Sequence, residues 1–226
     1  MLKKEYKLML LTSLFLLVCF SSAQATDFQL YKNFKFGQKR SEILKIGGIY
    51  DCSEDSNSGS LCLDNHQFLD SVWELEFLFL GDKLAAINLI TEFDQTKYFV
   101  ISKSLAKKFS CVGLQQNDNF LDIVKLKKTV AETLDFQQKI KFFEQKGLEN
   151  GYIKYFYLET SAILNKLPDS NSLPDLLQNT EADIREIDFE VYETDEGENA
   201  WCELTFRMPI MLKALIKKMP AKNEDF

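Results

Sequence analysis

The stretch from Ser71 to Thr91, SVWELEFLFLGDKLAAINLIT, constrains the fold more tightly than any other part of the chain. Trp73, Leu75, Phe77 and Phe79 recur at every second residue and so share one face of a strand. Glu74 and Glu76 take the other face, with Leu78 and Leu80 following near the turn. Gly81-Asp82-Lys83 interrupts the run, and Ala85, Ile87 and Leu89 resume the alternation. A three-residue turn sets Phe79, Phe77 and Leu75 opposite Ala85, Ile87 and Leu89. A two-residue turn sets Leu75 opposite Asn88 and Glu76 opposite Ile87. A slip of one residue turns every side chain over, so matching of apolar faces favours the three-residue register. Gly81 does not stand at the usual left-handed position of such a loop. A hairpin with one apolar face needs a cover, and amphipathic helices are predicted on both sides of it.

The first 25 residues read as a secretory signal peptide. Lys3, Lys4 and Lys7 precede the apolar run Leu8–Phe20, and Ala23-Gln24-Ala25 offers the small residues of a cleavage site after Ala25. The run is too short to span a bilayer comfortably. Val18, before Cys19, is too large for a lipoprotein signal. Cleavage leaves 201 of the 226 residues, with 24 of the 27 basic and 33 of the 34 acidic side chains. That acidic balance, without a Lys/Arg stripe, argues against nucleic acid as a partner. The 19 Phe are too many for a disordered chain. No later apolar run is long enough for a transmembrane segment, and the expected location is periplasmic or secreted.

Four cysteines remain: Cys52, Cys62, Cys111 and Cys202. An even count in an oxidising compartment predicts disulfides, and three pairings are possible. The favoured set is Cys52–Cys62, stapling the polar loop between them, with Cys111–Cys202.

Beyond the hairpin, the pattern predicts an α+β fold of antiparallel hairpins covered on one side by amphipathic helices. Phe28–Phe36 reads as a short aromatic strand or an extended lead-in, Ser41–Ile46 as a brief helix stopped by Gly47-Gly48. Asp94 caps a helix running to about Phe109 through Tyr98, Ile101 and Leu105. Gln115–Asn119 is the best internal boundary, dividing an N-terminal half (26–114) from a C-terminal half (115–226). In the second half, Phe120–Lys127 fits either a strand or the start of a helix. Thr129–Lys146 reads as a helix ended by Gly147, Tyr152–Glu159 as an interior strand, and a short helix begins at Pro174. A second hairpin pairs Ile187, Phe189 and Val191 with Cys202, Leu204 and Phe206 across the turn Asp195–Asn199, and a helix follows over Pro209–Met219. The order helix-then-hairpin occurs twice, as two related half-domains would produce.

Phe36-Gly37 before a short helix, Gly47-Gly48 at its end, the Trp73-led strand and Gly81-Asp82-Lys83-Leu84 entering the partner strand cover residues 34–91. In these the chain resembles outer-membrane assembly lipoproteins of the SmpA/OmlA type, with their β-lactamase-inhibitor-like fold. The resemblance implies a helix-covered antiparallel sheet that binds other proteins, and no catalytic residue. The cysteine-flanked insertion and the long C-terminal half depart from that family.

Chemistry-bearing constellations are few. His66 is the single histidine, and no G-x-S-x-G elbow presents a serine to it. Cys62 is the nearest thiol for Cys–His catalysis. Cys52, Cys62, Asp64 and His66 have tolerable types for a metal site, although export favours oxidation over thiolate ligation. The loop Asp195–Asn199 lacks EF-hand spacing. Glu186, Asp188 and Glu190 line one strand face beside Glu203 and Arg207, and alternation sends this row toward solvent. No cofactor, metal ligand set or catalytic residue is expected. The expected role is a non-catalytic adaptor or inhibitor that binds another envelope protein through Tyr152, Tyr155 and Trp201 beside Glu186, Asp188 and Glu190. The alternatives are a small-ligand carrier with a pocket between sheet and helices, and a hydrolytic or redox enzyme using His66 or a cysteine.

Overall fold

The computed structural model describes residues 28–53, 59–130, 132–193 and 199–218. The signal segment and most of the turn Asp195–Asn199 lie outside the described residues. In chain order come β1 (Gln29–Tyr31), β2 (Phe34–Lys35), α1 (Arg40–Ile43), β3 (Tyr50–Asp51), β4 (Leu61–Phe68), β5 (Ser71–Leu80), β6 (Lys83–Glu92) and α2 (Gln95–Leu105). Then follow β7 (Phe109–Gln116), β8 (Asn119–Asp122), α3 (Ile123–Thr129), α4 (Thr133–Glu149), β9 (Tyr152–Glu159), α5 (Thr160–Ile163), α6 (Leu173–Gln178), β10 (Glu186–Glu193), β11 (Ala200–Arg207) and α7 (Pro209–Lys218).

The fold is α+β. Strands β1 and β2 form a small hairpin, and the other nine make one antiparallel sheet in the order β3-β4-β5-β6-β11-β10-β9-β7-β8. The ladder between β6 and β11 joins the meander β4-β5-β6 to the meander β9-β10-β11, from Ala86 opposite Arg207 to Glu92 opposite Trp201. β4 is a strand at residues to which the sequence pattern assigned no element. Its alternation is broken by Asp64 and Asn65, where the pairing with β5 is irregular.

The β5–β6 hairpin keeps the expected apolar matches, Phe77 opposite Ile87 and Leu75 opposite Leu89, but reaches them differently. The loop is Gly81-Asp82, because Leu80 pairs with Lys83, and Gly81 adopts the left-handed φ of +62° that a II′ turn needs at its first central position. A bulge between Leu78 and Phe79 on one side and Ala86 and Leu84 on the other then restores the apolar register. Burial of a whole face outweighs regularity at the turn.

One sheet face is apolar. Trp73, Leu75, Phe77, Ile87, Leu89, Leu204, Phe206, Ile187, Phe189 and Ile153 are all buried in one core cluster, covered by the β1–β2 hairpin, Ile43 of α1 and Ile101 and Leu105 of α2. Asp94 caps α2 as its position suggested, accepting from the Lys97 amide. Phe109 has left that helix and opens β7. The α4 helix runs through Gly147 rather than ending there, and stops at Glu149 before Gly151, whose φ is +73°. Gly147 packs on β9: a Cβ there would stand 2.9 Å from Ile153 Cβ. A smaller cluster, with Val112, Val124, Leu158, Ile163, Leu176 and Ile184, brings α3, α5 and α6 together around the far end of β9.

Cys52 and Cys62 form a disulfide with Cα atoms 5.8 Å apart. The expected second disulfide does not form. Cys111 and Cys202 are free thiols, because β7 and β11 have β9 and β10 between them. Three strand spacings amount to about 14 Å, twice what a disulfide spans.

Candidate functional site

The second sheet face carries the polar side chains. Register places Glu76 beside Asn88, Asn88 beside Thr205, Thr205 beside Asp188, and Asp188 beside Phe156. The next row runs Glu74, Ile90, Glu203, Glu190 and Lys154. An aromatic row follows in Trp201, Tyr192 and Tyr152, with Glu92 opposite Trp201. Strict alternation on β5, β6, β9, β10 and β11 produces this grid, since each polar residue is the odd member of an apolar repeat.

The expectation that Glu186, Asp188 and Glu190 form a wet row needs correction. Glu186 is 6% exposed and Asp188 is fully buried. Neighbouring strands supply the cations that permit this. Lys154 Nζ lies 2.7 Å from Asp188 Oδ2 and 2.7 Å from Glu190 Oε1. Arg207 Nη2 lies 2.9 Å from Asp188 Oδ2, and Arg207 Nε donates to Glu186 Oε1 at 2.8 Å. Tyr152 donates to Glu190 Oε2 at 3.1 Å. Glu76 accepts from Ser60 Oγ at 2.7 Å and from Asn88 Nδ2 at 3.2 Å.

These contacts do not satisfy the face. Lys154 and Arg207 both approach Asp188 Oδ2, whereas Asp188 Oδ1 and Asn88 Oδ1 have no donor among the described residues. The carboxylates of Glu74, Glu76, Glu92, Glu186, Asp188, Glu190 and Glu203 outnumber the cations Lys154 and Arg207, with Lys97 at the rim beside Glu74 and Glu92. Burial pushes Asp188 up to about 6, against the pull of Arg207. It pushes Glu203 up to about 7, helped by the Glu190 carboxylate. Burial opposes the charge on Lys154, but Asp188 and Glu190 outweigh it and hold the ammonium above its ordinary value. The face stays acidic overall, and its free charge lies at the exposed rim carboxylates Glu74 and Glu92.

No family model, curated protein or solved structure matches this chain.

Of the six binding residues expected from the sequence, Tyr152, Trp201, Glu186, Asp188 and Glu190 share this face. Tyr155 points through the sheet to the other side, where it stacks on Phe189 at 5.6 Å. Sequence reading passed over Lys154, Asn88 and Tyr192. All three sit in register with residues it did name, and only the strand order reveals that. His66 lies on β4, where its Nε2 is 2.9 Å from the Tyr31 hydroxyl and 2.8 Å from Lys32 Nζ. Burial and the neighbouring ammonium both lower its pKa, so the neutral ring accepts from Lys32. The Cys62 sulfur is bound to Cys52, which leaves no thiolate beside His66 and removes both sulfurs from the metal set considered above. Among the described residues, no helix is long and apolar enough to cross a membrane.

Proposed function

We propose that the protein is a non-catalytic binding module of the cell envelope, which takes a basic segment of another envelope protein onto the acidic sheet face. The carrying observation is the excess of carboxylates on that face, with Glu74 and Glu92 exposed at its rim. Exposed carboxylates accept hydrogen bonds, and lysine or arginine side chains carry donors only. Trp201, Tyr192 and Tyr152 form the adjoining aromatic row, and such side chains anchor interfaces and attract cations over their rings. The N-terminal pattern and the Cys52–Cys62 disulfide support export. The resemblance of residues 34–91 to envelope assembly lipoproteins points to protein binding as well.

The test uses exposed rim positions. Glu186 and Glu190 are tied to Arg207 and Lys154, and reversing them would confound binding with folding. Glu74 and Glu92 are exposed. Mature protein immobilised as bait in envelope extract is expected to retain a basic protein at low salt and release it at 0.5 M NaCl, because rim charges are screened within about a Debye length. Glu74→Lys with Glu92→Lys should abolish retention, while His66→Ala should leave it intact. Retention that survives both salt and charge reversal would overturn the proposal. So would loss caused by His66→Ala in a folded protein, which would favour the enzymatic alternative.

A further inference from the structure

On the apolar side of the sheet, α4 touches the strands thinly. Gly147 is its one buried residue, while Ile140 and Phe143 are half-buried. The helix stands off enough to leave a cavity on each flank, and Tyr155 and Tyr157 help to line both. The larger cavity, about 860 Å³, opens between α2 and α4, a size suited to a small organic molecule. Tyr98, Tyr155 and Val191 line it, and Phe99 and Leu148 remain exposed beside it at 61% and 38%.

One polar constellation sits within this apolar lining. Tyr98 and Tyr155 hydroxyls both donate to Glu144 Oε1, the second at 2.7 Å, and lie 2.7 Å from one another. Burial raises both phenols, so they remain protonated donors at neutral pH. Among the described residues nothing donates to Glu144 Oε2. Glu149 and Glu193 add two more carboxylates to the lining, against the single ammonium of Lys141. An anionic ligand would meet repulsion here, and a neutral one would gain nothing from the excess of carboxylates. An ammonium group finds both an acceptor and aromatic faces.

We propose that the cleft between α2 and α4 binds a small amphiphilic cation, an apolar chain or ring bearing an ammonium group, seated with the ammonium at Glu144. This site lies on the opposite side of the sheet from the acidic face and does not depend on a protein partner there.

The probe is decylammonium, titrated calorimetrically into the full chain below its micelle concentration. Saturable one-to-one binding is expected. Decanoate, with the opposite charge, and N-acetyl-lysine amide, without the apolar body, should each bind at least tenfold more weakly. Glu144→Gln should weaken decylammonium at least tenfold, and Leu148→Trp should block the mouth. Because Leu148 is partly exposed, that second variant keeps the test open should Glu144→Gln fail to fold. Glu74→Lys, on the other sheet face, should leave the affinity unchanged. Equal affinity for decanoate or the lysine amide, unsaturable binding, or indifference to Leu148→Trp would overturn the proposal, as would equal weakening by Glu74→Lys.

Discussion

At the scale of single residues, burial rather than charge decides what a side chain contributes. Phe77 is fully buried and meets Phe34 edge-on at 4.7 Å. Phe77→Ala is expected to cost about 3–5 kcal/mol. Its neighbour Glu76 faces the other way, yet it accepts from the buried Ser60 and from Asn88, and Glu76→Ala should cost about 1–3 kcal/mol. Urea titration of both variants checks the ordering, and equal midpoint shifts would contradict the observed register. Glu203 gives a pH signature. Its folded pKa of about 7 exceeds the ordinary 4.5, so the folded state holds the proton more tightly. The stability it contributes is complete below about 4.5 and is lost as pH rises through about 7. Asp188, raised from 3.8 to about 6, acts in the same sense. Asp51 acts in the opposite sense, held down to about 2 by the Ser53 hydroxyl and Arg40, but its window closes below 3.8. The urea midpoint should therefore rise between pH 8 and pH 5.5, and Glu203→Gln should flatten that rise. An unchanged slope in the variant would refute the assignment.

At the scale of elements, the close approaches are made by glycines. Gly147 allows α4 to lie on β9, with Ile153 Cβ and the Tyr152 carbonyl where a methyl would go. Alanine normally gains up to about 1 kcal/mol over glycine inside a helix. Overpacking costs typically 1–3 kcal/mol, and the Ile153 Cβ cannot swing aside as a flexible chain end could. Gly147→Ala should therefore destabilise by on the order of 1–2 kcal/mol, measured by thermal or urea unfolding. A stabilising substitution would show that α4 can lift from the sheet without penalty. The β5–β6 hairpin shows the same priority: the bulge absorbs one residue so that Phe77 still faces Ile87.

At the scale of the whole molecule, both halves share one sheet, and its strand order sets both the cysteine chemistry and the face that carries charge. With residues 1–25, and so Cys19, removed, denatured and unreduced protein should label two thiols, Cys111 and Cys202, and four only after reduction. Native protein should label slowly, since Cys202 is fully buried and burial pushes both thiols up to about 12. Reducing Cys52–Cys62, which closes a separation of 10 residues, should cost roughly 2–3 kcal/mol. Four labelled thiols without reduction would remove the disulfide.

Alternation determined the existence of the β5–β6 and β10–β11 hairpins and their apolar faces, and cysteine spacing determined the staple at Cys52–Cys62, because a period of two and a short covalent loop are local properties of the chain. The helix capped by Asp94 was legible for the same reason. Strand order is not local. That β10 lies between β9 and β11 places Lys154 and Arg207 around Asp188, turns an apparently wet acidic row into a buried ion-pair network, and keeps Cys111 from Cys202. The Tyr98–Tyr155–Glu144 triad likewise joins residues from two helices and a strand across up to 57 positions. Such groupings depend on which surfaces bury one another, which only the folded chain decides.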